Sequence, residues 1–202
     1  MAFWGADLSA TDGDPKRKFR WRVSFGSQAS PVGDKAGIIW FAKTVSKPEM
    51  TVGDTEHKWY GHTFKYPGSI SWNDCELTLV DPVSPDAAKQ TLGVIHAAGY
   101  RTPGSLYKDV ASNPTDAFMS MAKGGAKTAL HPFIIEQLDA NGGVIEKWQL
   151  HNPFVSKVGF NDLDYGSDDL SEISMTVKYD WADWSSGTEP SGIFEPGYTP
   201  NS

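Results

Sequence analysis

The sequence is poor in the residues that the most recognisable kinds of site require. Cys75 is the only cysteine among 202 residues, which excludes an internal disulfide and a cysteine-rich metal site. No apolar run approaches the roughly eighteen residues of a membrane helix. The N-terminus lacks the positive n-region and apolar core of a secretory signal. We therefore expect a soluble protein made in a reducing cytoplasm.

Motifs for phosphate, dinucleotide and ester chemistry are also missing. Of the five histidines, His57 and His62 are the closest pair. Their spacing puts them on opposite faces of one strand, although a hairpin turn between them could bring them near. Paired carboxylates such as Asp168–Asp169 favour a solvated face over two carboxyls facing each other across a cleft. We expect no enzymatic activity, no metal and no cofactor.

Acidic residues outnumber basic residues in this sequence. The chain has 25 Asp and Glu against 18 Lys and Arg, for a formal net charge of −7. This balance argues against a surface that binds nucleic acid by attracting phosphates. It is compatible with a wall that lets nucleic acid slide past without sticking. Eight Trp, ten Phe and seven Tyr supply large anchors for a core or for subunit interfaces.

Hydrophobic periodicity predicts a β-rich domain. Residues 19–25 alternate, with Phe19, Trp21, Val23 and Phe25 on one face. The other predicted strands cover 37–46, 69–82, 132–139, 143–151 and 172–181. A phase slip at Asn73–Asp74 suggests a bulge. The last strand places one apolar face toward the core, formed by Ile173, Met175, Val177 and Tyr179.

Two helices are predicted in the middle of the chain. The first covers 85–98, with Ser84 as N-cap, Pro85 at the first position and a face of Ala88, Leu92 and Ile95. The second begins at Asn113–Pro114 and ends at Gly124–Gly125. Residues 1–17 are interpreted as an arm, and 185–202 as a flexible tail. The domain between them, 18–184, is predicted to be mainly β, a single sandwich or barrel with one or two helices packed on it.

The acidic stretch 161–172 resembles half of a calcium loop. Gly166 and Glu172 stand where an EF-hand loop has its sharp turn and its bidentate carboxylate. The first, third and fifth positions must supply oxygen ligands, and two of these three residues fail to do so. We interpret the stretch as an acidic turn between strands, with Leu163 and Tyr165 as core anchors.

Residues 148–181 resemble the C-terminal signature of tail tube proteins of contractile-tailed bacteriophages. In that family a strand leads to an aromatic–proline pair, a Leu-Asp-aromatic segment, an acidic turn and a closing strand. The matching residues are Asn152, Phe154, Leu163, Asp164, Tyr165, Glu172, Ile173, Val177, Tyr179, Asp180 and Trp181. Two features depart from the pattern: Pro153 precedes its aromatic, and an insertion around Asp169–Leu170 lengthens the turn. Earlier parts of the chain match in layout only.

The resemblance implies a structural protein that assembles. Family members form six-membered rings in which neighbouring sheets join into a continuous β-barrel around a channel. The rings stack into a tube, usually inside a contractile sheath, through which DNA and tape-measure protein pass. For this chain it implies a virion tail subunit, assembled in the host cytoplasm. Its partners would be itself and a sheath protein, with DNA and tape-measure protein passing without specific binding and no membrane involved.

The predicted hairpin at 50–66 is the candidate contact with the next ring. Its charges alternate with aromatic side chains, the composition expected of interface anchors within a polar rim. The predicted contact residues are Asp54, Glu56, Lys58, Trp59, Tyr60, His62 and Phe64.

Three other functions remain open at the level of the sequence. An inner-tube protein of a type VI secretion system or of a phage-derived injection device has a similar fold. A carbohydrate-binding β-sandwich with exposed aromatics would be a monomer that binds glycans. A metal-dependent enzyme would need the 161–172 stretch or the histidines to hold an ion.

Overall fold

The computed structural model describes residues 15–25, 42–84, 86–103 and 120–187. The elements within these ranges, in chain order, are β1 (Trp21–Phe25), β2 (Ala42–Val45), β3 (Met50–Trp59), β4 (His62–Trp72), β5 (Cys75–Val80), α1 (Ala87–Ala97), α2 (Lys123–Leu130), β6 (Phe133–Leu138), β7 (Val144–His151), β8 (Phe154–Phe160), β9 (Glu172–Lys178) and β10 (Trp181–Ser186).

The strands form two antiparallel four-stranded sheets and a separate hairpin. One sheet has the order β1-β6-β7-β10, the other β2-β5-β9-β8, and β3 pairs with β4. Buried side chains from both sheets and both helices form one core cluster. The predicted mainly β fold with helices packed on it is confirmed.

Alternation along the central strands explains how the core is filled. In β5, Cys75, Leu77 and Leu79 are buried, whereas Glu76 between them is exposed. Leu77 lies opposite Met175 of β9, whose apolar face is also buried. Such a pattern belongs to a sheet with one face on the core and the other face open. Phe19, which was expected on the buried face of β1, precedes that strand and is exposed.

The first helix differs from its prediction in cap and in buried face. Its N-cap is Asp86, whose Oδ1 accepts a hydrogen bond from the Lys89 amide at 2.8 Å, and not Ser84. The buried residues are Ala87, Thr91 and Val94, and Leu92 of the predicted face is exposed. Small side chains face inward because the helices approach closely here. A Cβ added at Gly125 of α2 would lie 3.2 Å from the Ala98 carbonyl oxygen.

The second predicted helix is wrong at its C-terminal boundary. Gly124 and Gly125 were expected to end it, but they lie in the first turn of α2, which begins at Lys123. The rest of that prediction, 113–119, lies outside the described residues. So do 1–14 of the predicted arm, 37–41 of the second predicted strand, Pro85, and 188–202 of the predicted tail.

Two strand boundaries also need correction. The phase slip at Asn73–Asp74 marks a break between β4 and β5 and is not a bulge. The Asn73 amide there donates to the Glu49 carbonyl at 2.8 Å. The closing strand ends at Lys178, and β10 follows it, reaching into the predicted tail. Hydrophobic periodicity does not identify β10 because the buried residue at its start is the small Ala182.

Candidate assembly interface

The β3–β4 hairpin stands apart from both sheets. All ten residues of β3 and ten of the eleven in β4 are exposed. Within the described residues, these two strands pair only with each other. An isolated two-stranded hairpin is marginally stable in water. A hairpin of this length therefore indicates a surface that is covered by another chain.

A tight two-residue turn closes the hairpin. Trp59 pairs with His62, and the two residues between them, Tyr60 and Gly61, have φ angles of 49° and 82°. Positive φ at both central positions is the type I′ geometry, which favours Asn-Gly. A tyrosine there costs about 1 kcal/mol in backbone conformation. Its side chain is 89% exposed and lies beside the ring of its chain neighbour Trp59, so little within the described chain offsets that cost.

A bulge gives the hairpin apolar side chains on both faces. The pairing shifts between Val52 and Asp54, so Gly68 and Ser69 of β4 lie opposite the single residue Gly53. A Cβ at Gly68 would lie 3.2 Å from the Gly53 carbonyl oxygen, which explains the glycine. A regular β4 would keep its even-numbered apolar residues on one face. The bulge instead divides Phe64, Tyr66, Ile70 and Trp72 between two faces.

The faces have different chemistry toward the tip. The aromatic face comprises His57, Trp59, His62, Phe64 and Tyr66. The charged face comprises Asp54, Glu56, Lys58, Thr63 and Lys65. On the charged face, the Lys65 ammonium lies 3.3 Å from the carboxylates of both Asp54 and Glu56. Nearer the root, Met50, Val52, Ile70 and Trp72 lie on the side of the charged face.

The seven residues predicted to contact the next ring all lie on this hairpin, but not on one face. Trp59, His62 and Phe64 are on the aromatic face, whereas Asp54, Glu56 and Lys58 are on the charged face. Tyr60 occupies the tip. Sequence reasoning missed Tyr66 and Ile70, both exposed. Tyr66 continues the alternation of His62 and Phe64, whereas the bulge places Ile70 on the other face. A glycine within an otherwise regular strand is the signal that could have located it.

His57 and His62, the closest pair of histidines in the sequence, lie on neighbouring strands of the hairpin and share its aromatic face. Among the residues that the structure describes, no group of three or more His, Cys, Asp or Glu is placed to hold a metal ion. In the same part of the chain, no helix has the length and apolar content to cross a membrane.

Asn152 and Asp180, two residues of the predicted signature, form a hydrogen bond that joins two turns. Asn152 adopts a left-handed conformation (φ 52°), which asparagine tolerates better than most residues, and its Nδ2 donates to Asp180 Oδ2 at 2.7 Å. The Lys123 ammonium of α2 lies 2.7 and 2.9 Å from the two Asp180 oxygens. These hydrogen bonds, from Lys123 first and then Asn152, lower the pKa of Asp180. The hydrogen bonds to Asp180 hold the β7–β8 turn, the β9–β10 turn and α2 together.

Other residues of the predicted signature pack near Asp180. Tyr179 is buried with its ring 5.9 Å from that of Trp72, at the root of the hairpin. Trp181 stacks on His151 at 4.7 Å, and the His151 ring bonds to the Asp183 carboxylate at 2.6 Å. Phe154 is half-buried against the core. These contacts show what Tyr179, Trp181 and Phe154 pack against within the subunit.

Leu163, Asp164 and Tyr165 lie on an exposed loop, which corrects the expectation that Leu163 and Tyr165 are core anchors, whereas Glu172, Ile173 and Val177 belong to β9. Leu163 and Tyr165 are 91% and 111% exposed. The loop begins after β8, whose last residue, Phe160, pairs with Ile173 at the edge of its sheet. Asp164 Oδ1 accepts from the Gly166 amide at 2.9 Å, so the aspartate shapes the turn. Leu163 and Tyr165 therefore do not pack against the core among the described residues of one subunit.

Replacing Leu163 and Tyr165 together with serine should change the free energy of unfolding by less than about 0.5 kcal/mol, since neither side chain is buried. Urea denaturation of the dispersed subunit measures this. Ile173→Ala serves as the matched control two residues beyond the loop, where loss of a buried side chain should cost about 2–4 kcal/mol. A large loss in the loop variant would show that these residues are core anchors after all.

Comparison with known proteins bears on the family. No protein-family model matches the chain. It is 22% identical over 170 residues to the tail tube protein of Serratia phage KSP90, a match that covers 83% of this chain and 87% of the phage protein. The resemblance to phage tail tube proteins is confirmed. The relative is named a tail tube protein, which fits the expectation that the chain is not an enzyme.

Solved structures share the tail tube fold. A chain from the sheath–tube complex of an extracellular contractile injection system, PVC, in its extended state matches with a TM-score of 0.60 at 15% identity. That match covers 90% of this chain and 99% of the other. A chain from the tube-terminating cap of the anti-feeding prophage matches with a TM-score of 0.57 at 16% identity, over 92% of this chain and 99% of the other. At these identities the likeness establishes the fold.

Proposed function

We propose that the chain is the structural subunit of a phage tail tube, in which hexameric rings stack into a hollow tube that conducts DNA during ejection. The observation that carries the proposal is the long exposed hairpin, with large apolar side chains on both faces, in a relative of tail tube proteins. Contiguous apolar patches of this kind are uncommon on soluble monomers and mark interaction surfaces.

The tip of the hairpin contacts the next ring in this proposal. Tyr60 occupies a backbone position that disfavours it, and the ring is exposed beside Trp59 at a centroid distance of 5.8 Å. A residue retained at a conformational cost, with an exposed ring that contacts its chain neighbour Trp59, is explained by a further contact made in the assembly. Aromatic anchors surrounded by charged side chains are the usual composition of an interface hot spot.

Neighbours within a ring join through the edges of the sheets. In the described part of the chain, β1 and β10 border one sheet, and β2 and β8 border the other. Edge strands present unpaired amide and carbonyl groups that another chain can pair with. Such pairing would continue the sheet from subunit to subunit and close the barrel around the channel.

The surroundings of the tube follow from charge and from the solved relative. A net charge of −7 makes a channel built from this chain unattractive to phosphates, so DNA and tape-measure protein pass without specific binding. The matching PVC chain comes from a sheath–tube complex, which supports a sheath protein as the outer partner. The subunit would reside in the virion tail after assembly in the host cytoplasm.

Negative-stain electron microscopy of the purified protein tests the proposal. We expect stacked rings or hollow tubes at high protein concentration, because the exposed hairpin and the open edges are covered only in an assembly. Light scattering across a dilution series provides an independent measure of size. A protein that stays strictly monomeric by both methods, and binds glycans instead, would support the carbohydrate-binding alternative and overturn this proposal.

A second candidate is the inner tube of a phage-derived injection device. It is favoured by the matches to chains from extracellular contractile injection systems, which share the fold. Particles purified from the producing cell separate the two functions. Nuclease-protected DNA attached to a capsid identifies a phage tail, whereas free sheathed particles without DNA identify an injection device.

A further inference from the structure

A buried carboxylate in β7 binds two lysine side chains from distant parts of the chain. Glu146 is 5% exposed, and its Oε1 accepts from the Lys47 ammonium at 2.7 Å and from the Trp148 indole at 2.6 Å. Its Oε2 accepts from the Lys16 ammonium. Gln137 of β6 accepts from Lys47 at 2.7 Å as well. We call these residues, Lys16, Lys47, Gln137, Glu146 and Trp148, the Glu146 clamp.

The clamp joins three segments at one point. Lys16 precedes β1, Lys47 lies between β2 and β3, and Glu146 belongs to the opposite sheet. The residue before Lys47 is fixed to the sheet of β2, since the Ser46 amide donates to the Glu76 carbonyl at 2.9 Å. Lys47 therefore spans the two sheets immediately before the hairpin begins.

Among the residues that the structure describes, few other contacts fix the hairpin to the body. The Glu49–Asn73 hydrogen bond and the Trp72–Tyr179 ring contact lie at its root, and the tip of the hairpin is exposed. A strand of this length extends about 30 Å from the root, so a rotation of about 10° at the root moves the tip by about 5 Å. Interactions at the root thus decide where the tip lies.

We propose that Glu146 is a positioning residue for assembly: through Lys47 it sets the direction in which the hairpin leaves the body, and through Lys16 it ties that direction to docking of the N-terminal segment. The effect on tubes rests on the proposed function, whereas the effect on hairpin direction does not. Charge-assisted hydrogen bonds of this kind are the strongest available to side chains. Burial gives the carboxylate no alternative partner in water.

Distances measured between spin labels test the direction of the hairpin. One label is placed at Thr63→Cys near the tip and the other at Asn141→Cys in the β6–β7 turn, both exposed, while Cys75 is fully buried and stays unlabelled. Labelled protein is diluted into unlabelled protein so that only distances within one subunit are recorded. We expect a narrow distribution in the parent and a shifted, broader one after Lys47→Met.

Two matched variants identify the interaction responsible. Lys47→Arg keeps the positive charge and should restore the narrow distribution. Lys43→Met removes a lysine from β2 that pairs with Glu172 instead of Glu146, and should leave the distribution unchanged. Glu146→Gln should broaden it at least as much as Lys47→Met. An unchanged distribution in both Lys47→Met and Glu146→Gln would overturn the proposal.

Tube formation provides the second measurement. Lys47→Met should still fold and form rings but yield about tenfold fewer tubes at equal protein concentration, the effect of losing one charged hydrogen bond from each contact. If the parent forms no tubes while the label distances respond as expected, the tube function fails and the positioning role stands. If tubes form but the distances do not respond, the positioning role fails alone.

Discussion

A variant carrying Trp59→Asp and Tyr60→Asp is expected to fold and to form no tubes. Both side chains are exposed at the tip of the hairpin, so their loss leaves the two sheets and the core untouched. In a contact between rings, each aspartate would bring a desolvated charge to a site that aromatic rings would otherwise fill. Electron microscopy should show rings or dispersed subunits, with a melting temperature close to that of the parent. Normal tubes would refute the contact.

Single substitutions on either side of the tip locate the contact more finely. Trp59→Asp adds a charge on the aromatic face directly before the turn, and Thr63→Asp adds the same charge on the charged face two positions after it. We expect Trp59→Asp to block extension and Thr63→Asp to permit it. Tyr60→Asn replaces a disfavoured residue with one suited to the turn. It should therefore keep the hairpin folded while weakening extension, which separates contact from folding.

Replacing Glu146 with Gln is expected to cost about 3 kcal/mol of folding free energy at neutral pH. Burial raises the pKa of this carboxyl, but hydrogen bonds from Lys16, Lys47 and Trp148 outweigh burial and lower the pKa from its ordinary 4.5 to about 2. A lowered folded-state pKa means a contribution that is complete above about pH 4.5 and is lost as the pH falls toward 2. The gap between parent and variant should shrink by more than half by about pH 3.

Urea denaturation between pH 7 and pH 3 measures this dependence on the dispersed subunit. Glu172→Gln is the appropriate control because its partner Lys43 is more than half exposed. Solvent screens that pair, so the Glu172→Gln variant should follow the parent closely at every pH. A Glu146→Gln variant with a pH profile parallel to that of the parent would show that the carboxylate is not held charged by its lysines.

The strands that the sequence predicts well are those with one face on the core. In β5 and β9 the apolar residues recur at every second position, so periodicity identifies both strands and their buried faces. The same rule fails for β10, whose first buried residue is Ala182, and for α1, whose inward face is small because the helices approach closely. Small buried residues carry little signal in hydrophobicity.

The candidate interface shows a different limit of sequence reasoning. The composition of the hairpin indicated an interface, but the pairing shift at Gly53 determines which side chains share a face, and hydrophobic periodicity alone does not reveal that shift. Leu163 and Tyr165 were assigned to the core because they are large and apolar, yet they are exposed in one subunit. Hydrophobicity reports that a side chain is to be covered. It does not report whether its own chain or another one covers it.

Because of the bulge opposite Gly53, no single flat partner can cover all the large apolar side chains of the hairpin. A chain that covers Trp59 and Phe64 leaves Met50 and Ile70 in water on the other side. The described residues cover neither set, so burying both requires a contact on each side of the hairpin. In the proposed tube, pairs of subunits would then be weak and the third contact decisive. Growth of that kind is nucleated, and it yields a few long tubes in preference to many short ones.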